Sequence, residues 1–153
     1  MGLDMYLRAR IYISNWDHKP KEARDMCAGV LLAVGLSPDI LTQGSPHLWV
    51  APCIGYWRKA NAIHAWFVDN CQDGKDECQR TPVTREQLQA LKDECVKSLA
   101  DRENTTLKPR SGFFFGSTEM DECYWQDLKD TIDIVDKALA MPETWDFEYQ
   151  SSW

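Results

Sequence analysis

The sequence predicts an α+β fold, in which a small, largely antiparallel or mixed sheet of about four strands has helices packed on one face. Strand-like alternation occurs near both ends of the chain, and long stretches with helical spacing lie between. The strands are few and mostly one-sided in their apolar pattern, which favours an antiparallel sheet over a buried parallel one. With 153 residues and 44% hydrophobic content, the chain is expected to form a single domain over residues 1–153.

The first third of the chain alternates between strand and helix signals. Residues 3–14 carry an apolar side chain at every second position, which is typical of a long strand with one buried face. A helix is expected to begin around Pro20 and to end at Gly35, and residues 36–46 predict a loop with at most one short helical turn. Residues 47–54 predict a strand that Pro52 confines to an edge or a strand end.

Residues 56–70 predict a central helix around which the rest of the chain is organised. At about 100° per residue, one stripe of this helix contains Trp57, Asn61, His64 and Val68. Its opposite side is hardly polar, so we expect the helix to be covered on most of its circumference.

An acidic loop over residues 70–78 follows the central helix. Thr84, with Gln87 three residues later, forms a capping box that predicts the start of the next helix. Residues 101–110 are expected to be a polar linker.

The last part of the chain contains a glycine-bounded aromatic segment, a helix and a strand. Residues 112–116 predict a short strand, and Ser117 and Thr118 are expected to lead directly into a helix that ends before Pro142. Residues 145–150 alternate in the manner of a C-terminal strand.

The net charge and the cysteine content limit the classes of partner and the cellular compartment that can be expected. The net charge of −7 argues against binding of long nucleic acid, which requires clustered Lys and Arg, and favours a basic partner or a small ligand. No apolar run approaches the roughly 20 residues of a membrane span.

The chain contains six cysteines but no CxxC pair, and its first residues lack a signal-peptide pattern. These features predict a cytoplasmic protein whose cysteines are small buried hydrophobes. Seven Trp residues favour a homo-oligomer or a stacking site.

The sequence predicts neither a metal site nor a cofactor. The acidic loop imitates the start of a calcium loop, but Arg80 stands where a bidentate Glu is needed. Cys71 and Cys78 are too far apart for a zinc-finger pair, and no fourth ligand accompanies them and His64.

Three blocks of the sequence carry a resemblance: residues 1–7 (MGLDMYL), residues 56–68 (YWRKANAIHAWFV) and residues 112–118 (GFFFGST), the last followed by Asp121 and Glu122. In these blocks the chain resembles an uncharacterised family of small proteins found in tailed phages and in bacterial genomes that carry prophages. The resemblance implies a phage accessory protein made in the host bacterial cytoplasm. It supplies no catalytic residues, although many such accessory proteins antagonise host defence.

The first candidate site is the polar pair in the stripe of the central helix. Asn61 and His64 must be hydrogen-bonded, because burying either of them unsatisfied costs roughly 1–3 kcal/mol. They either tie the helix to a strand backbone or to Asp4, or they reach a ligand with Trp57 as a stacking wall and Arg58 as a charge.

The second candidate site is the junction of Gly116, Ser117 and Thr118. At a helix N-terminus these residues offer free N–H groups and a positive dipole end, which can hold a phosphate with Lys108 and Arg110 near in sequence. The alternative is plain helix capping, because acidic residues crowd the following turn.

A third candidate surface lies on the polar side of the first strand. Tyr6, Arg8, Arg10 and Tyr12 would form a basic aromatic patch for a nucleotide, a short RNA or a partner protein, or simply a solvated strand face.

These features lead to one preferred function and two alternatives. The preferred function is a non-catalytic binding module that sequesters a small anionic or nucleotide-like ligand or blocks a host protein. The alternatives are a hydrolase or nucleotide-processing enzyme built around His64 with Asp4, Asn61 or Tyr124, and an interaction subunit that assembles through its Trp residues. We expect one cleft or seam to gather the ligand-binding residues, which are Trp57, Arg58, Asn61, His64, Arg110, Phe114, Gly116, Ser117 and Thr118.

Overall fold

The strands and helices form an α+β fold in the computed structural model, which describes residues 2–153. Its strands are β1 (Asp4–Ser14), β2 (His47–Val50), β3 (Cys53–Arg58), β4 (Thr81–Val83) and β5 (Asp146–Ser152). Its helices are α1 (Lys21–Ala33), α2 (Asn61–Cys71), α3 (Arg85–Ala100) and α4 (Glu122–Leu139), with a short 3-10 helix at Pro38–Ile40. The predicted fold class is confirmed.

Residue contacts divide the chain into two compact units. The first unit contains residues 52–153 and the start of the chain up to Ala9, and the second contains Arg10–Ala51. The single-domain organisation stays a prediction.

In the first unit, β1 pairs with β3 in the antiparallel direction and lies beside β5 in the sheet, and β5 pairs antiparallel with β4. A register shift between Leu7 and Arg8 interrupts the pairing of β1 with β3. Strand β4 was not predicted from the sequence, because three residues that include Pro82 carry too short a pattern.

The helices of the first unit cover one face of its strands. Leu3, Met5 and Leu7 are fully buried on that face, and burial of each such side chain stabilises the fold by about 1.5–3 kcal/mol. Helix α4 approaches β3 so closely that a Cβ on Gly55 would lie 2.5 Å from Ile134 Cγ2. On the other face of β3, Tyr56 remains about half exposed.

In the second unit, the remainder of β1 pairs antiparallel with β2, from Ile11 opposite Val50 to Ser14 opposite His47. Helix α1 buries only Cys27 and Leu31 and leaves several large apolar side chains exposed. The homo-oligomer stays a prediction.

The predicted central helix begins later than expected. Helix α2 starts at Asn61, whereas Trp57 and Arg58 belong to β3. The helical spacing of Trp57 was therefore misleading, because residues 53–58 bury Gly55 and Trp57 with the period of two that pairing with β1 imposes. Lys59 has a φ of 60°, and the backbone turns at this residue between the end of β3 and the start of α2.

The aromatic glycine segment is not a strand, and this prediction was wrong. Its chain turns back on itself, with the Phe115 amide donating to the Gly112 carbonyl at 3.1 Å. Ser117 and Thr118 do not begin a helix either. Helix α4 starts at Glu122 because the Asp121 carboxylate accepts the Tyr124 amide hydrogen at 3.1 Å.

Most of the other predicted boundaries are confirmed. Helix α1 follows Pro20 and the 3-10 helix lies within the predicted loop. The strand predicted over residues 47–54 instead divides around Pro52 into β2, which ends at Val50, and β3, which begins at Cys53. The Thr84 capping box is present at the start of α3. All six cysteines are free thiols, but Cys53 and Cys123 are exposed, which contradicts their predicted burial. None of the helices formed by residues 2–153 has both the length and the apolar character that crossing a membrane requires.

Candidate functional site

A cleft of about 440 Å³ opens in the first unit where β3 leads into α2. One wall consists of residues 58–63, which are the end of β3, the connecting turn and the first residues of α2. The opposite wall comes from Pro109, from the segment around Gly116 and Ser117, and from the start of α4. Three separate parts of the chain therefore meet at one concave surface.

Asn61 holds two of these parts together. Its Nδ2 donates to the Ser117 carbonyl at 2.7 Å and to the Phe115 carbonyl at 3.0 Å, while its Oδ1 accepts the Arg110 amide hydrogen at 3.2 Å. The amide is buried and bonded at both of its ends. Asn61 is thus a positioning residue, which fixes residues 110–117 against the first turn of α2.

Gly116 allows the two walls to approach each other. Its φ is +86°, a conformation that favours glycine, and a Cβ at this position would lie 3.2 Å from Lys59 Cβ. Lys59 packs its aliphatic stem here, so a larger residue at 116 would push this part of the wall away.

The N-terminus of α2 is open toward the cleft. Its N-cap residue is Ala60, which provides no side-chain cap, and its first turn contains no acidic residue. Within residues 2–153, the backbone N–H groups of Ala62 and Ile63 have no acceptor, and both residues line the cleft. These groups and the positive end of the helix dipole can bind an anion.

The other long helices of the first unit differ from α2 at this position. Thr84 caps α3 and Asp121 caps α4, each by accepting a backbone N–H through its side chain, and each helix has an acidic residue in its first turn. A side chain therefore accepts one backbone N–H at the start of α3 and at the start of α4, and no side chain does so at the start of α2.

Charged side chains of opposite sign line the two walls. Arg58 and Lys59 stand on the β3–α2 wall, and Glu119, Asp121 and Asp127 stand on the α4 wall. The pKa of Asp127 is raised from 3.8 to about 6, first by burial and then by the neighbouring carboxylates of Asp130 and Asp121.

His64 lies outside this cleft and is enclosed, with 1% of its surface exposed. Its Nδ1 lies 2.7 Å from the Tyr149 hydroxyl and its Nε2 lies 2.9 Å from an Asp76 carboxylate oxygen. Burial lowers the pKa of His64, and the hydrogen bond to Asp76 only partly offsets this effect. The ring is therefore neutral at pH 7, with Nε2–H donating to the carboxylate and Nδ1 accepting from the hydroxyl.

This arrangement gives no support to an enzyme built around His64, because the ring is enclosed and does not line the cleft. The proposed catalytic partners are also engaged elsewhere. Asp4 accepts the Tyr56 hydroxyl at 2.5 Å, Tyr124 donates to the Leu107 carbonyl at 2.6 Å, and Asn61 bonds the loop.

The structure places four of the nine predicted ligand-binding residues on the cleft wall, namely Arg58, Asn61, Gly116 and Ser117. The other five lie elsewhere. Trp57 is buried and donates from Nε1 to Thr131 Oγ1 at 2.9 Å, His64 faces β5, and the Phe114 carbonyl accepts the Leu3 amide hydrogen at 3.1 Å. Arg110 pairs with Asp69 at 2.5 Å, and Thr118 is exposed. His64 still meets the aromatic segment, since its ring lies 5.0 Å from that of Phe115.

Most residues that line the cleft were not among the predicted ligand-binding residues, and Lys59, Cys123 and Asp127 are three of these. Lys59 fell within the predicted central helix, Cys123 was expected to be a small buried hydrophobe, and Asp127 fell within the predicted last helix without being singled out. A signal for Asp127 existed, because it stands between the inward-facing Tyr124 and Leu128 in α4.

The predicted basic aromatic patch divides between the two units. In the first unit the Tyr6 ring lies 5.6 Å from that of Tyr56, and the Arg8 guanidinium lies 5.2 Å from the Tyr6 ring. In the second unit the Arg10 guanidinium lies 4.2 Å over the ring of Trp49. Each arginine is therefore stacked within its own unit.

The remaining comparisons concern metals and known proteins. Residues 2–153 contain no group of three or more His, Cys, Asp or Glu side chains placed to hold a metal ion. No family model matches the chain, and no curated protein and no solved structure matches it either. The geometry of the cleft therefore carries the functional argument.

Proposed function

We propose that this protein is a non-catalytic binding module that holds a small anionic ligand in the cleft at the start of α2. One observation carries the proposal. Ala62 and Ile63, whose backbone N–H groups have no acceptor among residues 2–153, line a cavity of about 440 Å³ together with the cationic residues Arg58 and Lys59.

The physical chemistry of the wall suits a phosphate or carboxylate group. The end of a helix carries about half a positive charge, and hydrogen bonds to a charged group contribute about 1.5–3 kcal/mol each. After the cost of association, a few such contacts give a small free anion a dissociation constant on the order of 0.1–1 mM. A larger ligand that fills the cleft would bind more tightly.

The sequence resemblance suggests the setting of this activity. A phage accessory protein that binds a small anionic or nucleotide-like molecule in the host cytoplasm would act by sequestration, because it needs no reaction to remove a ligand from the host. Two of the side chains considered for catalysis are engaged elsewhere, because Asn61 bonds the loop and Tyr124 donates to the Leu107 carbonyl.

A titration with inorganic phosphate tests the proposal. We expect Arg58→Gln and Lys59→Gln each to weaken phosphate binding about three- to tenfold, because each removes one charge from the anion wall. Lys129→Gln is the matched control, since it makes the same charge change at an exposed position of α4 outside the cleft, and it should alter affinity less than about twofold. Calorimetry or chemical-shift titration gives the constants.

Two results would contradict the proposal. One is the absence of phosphate binding by the unaltered protein at concentrations up to about 10 mM, which is well above the range expected. The other is an equal loss of affinity in all three variants, which would indicate general electrostatic attraction without a site.

A further inference from the structure

The exposed apolar side chains are concentrated in the second unit. Among residues 2–153, twelve large apolar side chains are exposed, and seven of them belong to Arg10–Ala51, although this is much the smaller unit. Single exposed apolar residues are normal in a soluble protein, whereas a group of them on one stretch of chain indicates an interaction surface. Five of the seven follow one another along α1 and the turn after it, namely Met26, Leu32, Val34, Leu36 and Ile40.

The exposed side of α1 lies opposite to its buried side. At about 100° per residue, the two buried residues, Cys27 and Leu31, point in one direction, and Gly29 points in the opposite direction. Met26 and Leu32 flank Gly29 at about 60° on either side and are more than half exposed. We call Met26, Gly29 and Leu32 the apolar α1 face. It is a strip of the helix surface with a glycine at its centre.

Gly29 has no packing role within its own chain. A Cβ at this position would meet no atom of residues 2–153 within 4 Å. A glycine inside a helix destabilises the helix relative to alanine, so its presence here needs another reason. A second helix that packs across Gly29 supplies one, because the distance between two packed helices depends on the size of the side chains at their contact.

The distribution of charge favours a second copy of the chain as the partner. Arg10–Ala51 contains four basic and four acidic residues, so its formal charge is zero, and the first unit carries the whole net charge of −7. Two copies that met through their first units would repel each other. Two copies that meet through the apolar α1 face bring neutral regions together.

The charges on α1 also indicate how two copies of this helix would pack. Residues 26–38 carry no charged side chain, and the exposed carboxylates of Glu22 and Asp25 precede this stretch. Parallel packing would bring these carboxylates together, whereas antiparallel packing centred on Gly29 places them at opposite ends of the pair. Asp25 is in addition paired with Lys21 at 2.5 Å.

The area of this surface is that of a small interface. The five apolar side chains of α1 and its following turn are each 41–67% exposed, and together they present on the order of several hundred Å² of apolar surface. Two copies would bury on the order of 1,000 Å² in total with the rim residues, which is the lower limit for a specific interface. Such an area suits a dimer that dissociates in the micromolar range.

We infer that the protein forms a two-fold symmetric dimer in which two α1 helices pack antiparallel across Gly29. A two-fold axis brings the same surface of both subunits together, so the surface must be complementary to itself. A neutral apolar face with a glycine at its centre meets this requirement. The inference is independent of the proposed anion site, whose lining residues all belong to the first unit.

Sedimentation equilibrium of the full chain at about 1–500 µM tests the dimer. We expect the mass of one chain at the lowest concentration and an approach to twice that mass at the highest. Leu32→Glu places a carboxylate in the apolar α1 face and should weaken association at least about tenfold. Val96→Glu is the matched control, because it makes a comparable change at an exposed apolar position of α3, and it should alter association less than about twofold.

Gly29→Leu distinguishes a close helix crossing from general adhesion of an apolar surface. The single chain has room for the new side chain, and leucine forms helices better than glycine does. The midpoint of thermal unfolding, measured where the protein is monomeric, should therefore not fall. Association should weaken at least about tenfold, because the added side chain holds the two helices apart. General adhesion would instead become stronger with an additional leucine.

Three results would overturn the inference. A chain that stays monomeric at every concentration would have no such dimer and would leave the apolar α1 face to a different protein. A Leu32→Glu variant that dimerises normally, or as weakly as Val96→Glu does, would place any dimer contact elsewhere. A Gly29→Leu variant that associates as well as the unaltered protein would exclude packing across Gly29. Circular dichroism of each variant confirms that it is folded.

Discussion

The polar groups in two parts of helix α2 differ in whether they have hydrogen-bond partners. One turn into the helix, His64 is fully enclosed and both of its ring nitrogens are bonded, one to the Tyr149 hydroxyl and one to the Asp76 carboxylate. At the beginning of the helix, Ala62 and Ile63 line an open cleft with Arg58 and Lys59, and within the described chain their backbone N–H groups have no acceptor and the two cations have no ion pair.

This difference distinguishes polar groups that stabilise the core from polar groups that are available to a ligand. Nearly all buried polar groups in proteins are hydrogen-bonded, so a satisfied buried histidine is evidence of a specific core. Unpaired groups that line an open cleft are accessible to water or to a ligand, and the proposed anion site is built from such groups. In this protein the residue that looks most catalytic, His64, is a core residue, and the ordinary-looking turn before it forms the cleft.

The largest expected effect tests the structural half of this comparison. His64→Ala should lower the free energy of unfolding by about 3 kcal/mol, because it leaves the Tyr149 hydroxyl and the Asp76 carboxylate without a partner and opens a cavity. Phosphate affinity of the folded protein should change less than about twofold, since the ring does not line the cleft. Urea denaturation and phosphate titration give the two quantities.

His18→Ala is the control for that experiment, because His18 is exposed and its loss should cost less than about 0.5 kcal/mol. A cost below about 1 kcal/mol for His64→Ala, together with lost phosphate binding, would place His64 in the ligand site and would break the comparison.

A smaller effect is expected at Asn61, which belongs to both parts. Asn61→Ala should lower the free energy of unfolding by about 2 kcal/mol, because three hydrogen bonds to residues 110–117 are lost. The effect is smaller than at His64 because this segment is partly open to water. Phosphate should also bind about threefold or more weakly, since the wall around Ser117 is no longer held in place.

Asn70→Ala provides the matched control for Asn61. The Asn70 side chain donates one bond to the Trp66 carbonyl at the exposed end of the same helix, so its removal should cost less than about 0.5 kcal/mol. If Asn61→Ala and Asn70→Ala lower the free energy of unfolding equally, the hydrogen bonds from Asn61 to residues 110–117 add no stability.

Much of the fold was predictable because its signals are local. The alternation of residues 3–14, the Thr84 capping box and the stop before Pro142 depend on neighbours in sequence, and the structure contains all three features. The errors occurred where distant pairing decides the local conformation. Trp57 has helical spacing to Asn61, but hydrogen bonding to β1 and the left-handed Lys59 make it the end of a strand.

The cleft was only partly predictable for the same reason. Asn61 and Ser117 lie 56 residues apart and were linked only by the shared sequence blocks, and the structure joins them through a hydrogen bond of 2.7 Å. Gly116, Ser117 and Thr118 were predicted to form either an anion site or a plain helix cap, because they were placed at a helix start. Asp121 fills that role for α4, and the open helix start is that of α2, whose turn at Lys59 no local pattern indicates.

The smallest effect concerns Asp127, and it sharpens the functional half of the comparison. The pKa of Asp127 in the folded protein, about 6, lies above its ordinary value of 3.8. Between these two values the folded state binds more protons than the unfolded state, so this residue makes stability fall as the pH rises from about 4 to 6. The resulting penalty is present in full above pH 6 and absent below about pH 4.

Asp127→Asn removes a negative charge that destabilises the folded state. At pH 7.5 we expect the variant to be about 1 kcal/mol more stable than the unaltered protein, a figure that already discounts the shift for solvent screening of a half-buried group. Near pH 4 the gain should vanish, because the native carboxyl is then protonated and resembles the amide. Urea denaturation at both pH values gives the difference, from which the titration of His64 cancels because both proteins share it. Asp133→Asn should show no such dependence on pH. A variant that is less stable at pH 7.5 would show that Asp127 has a structural partner and belongs with His64.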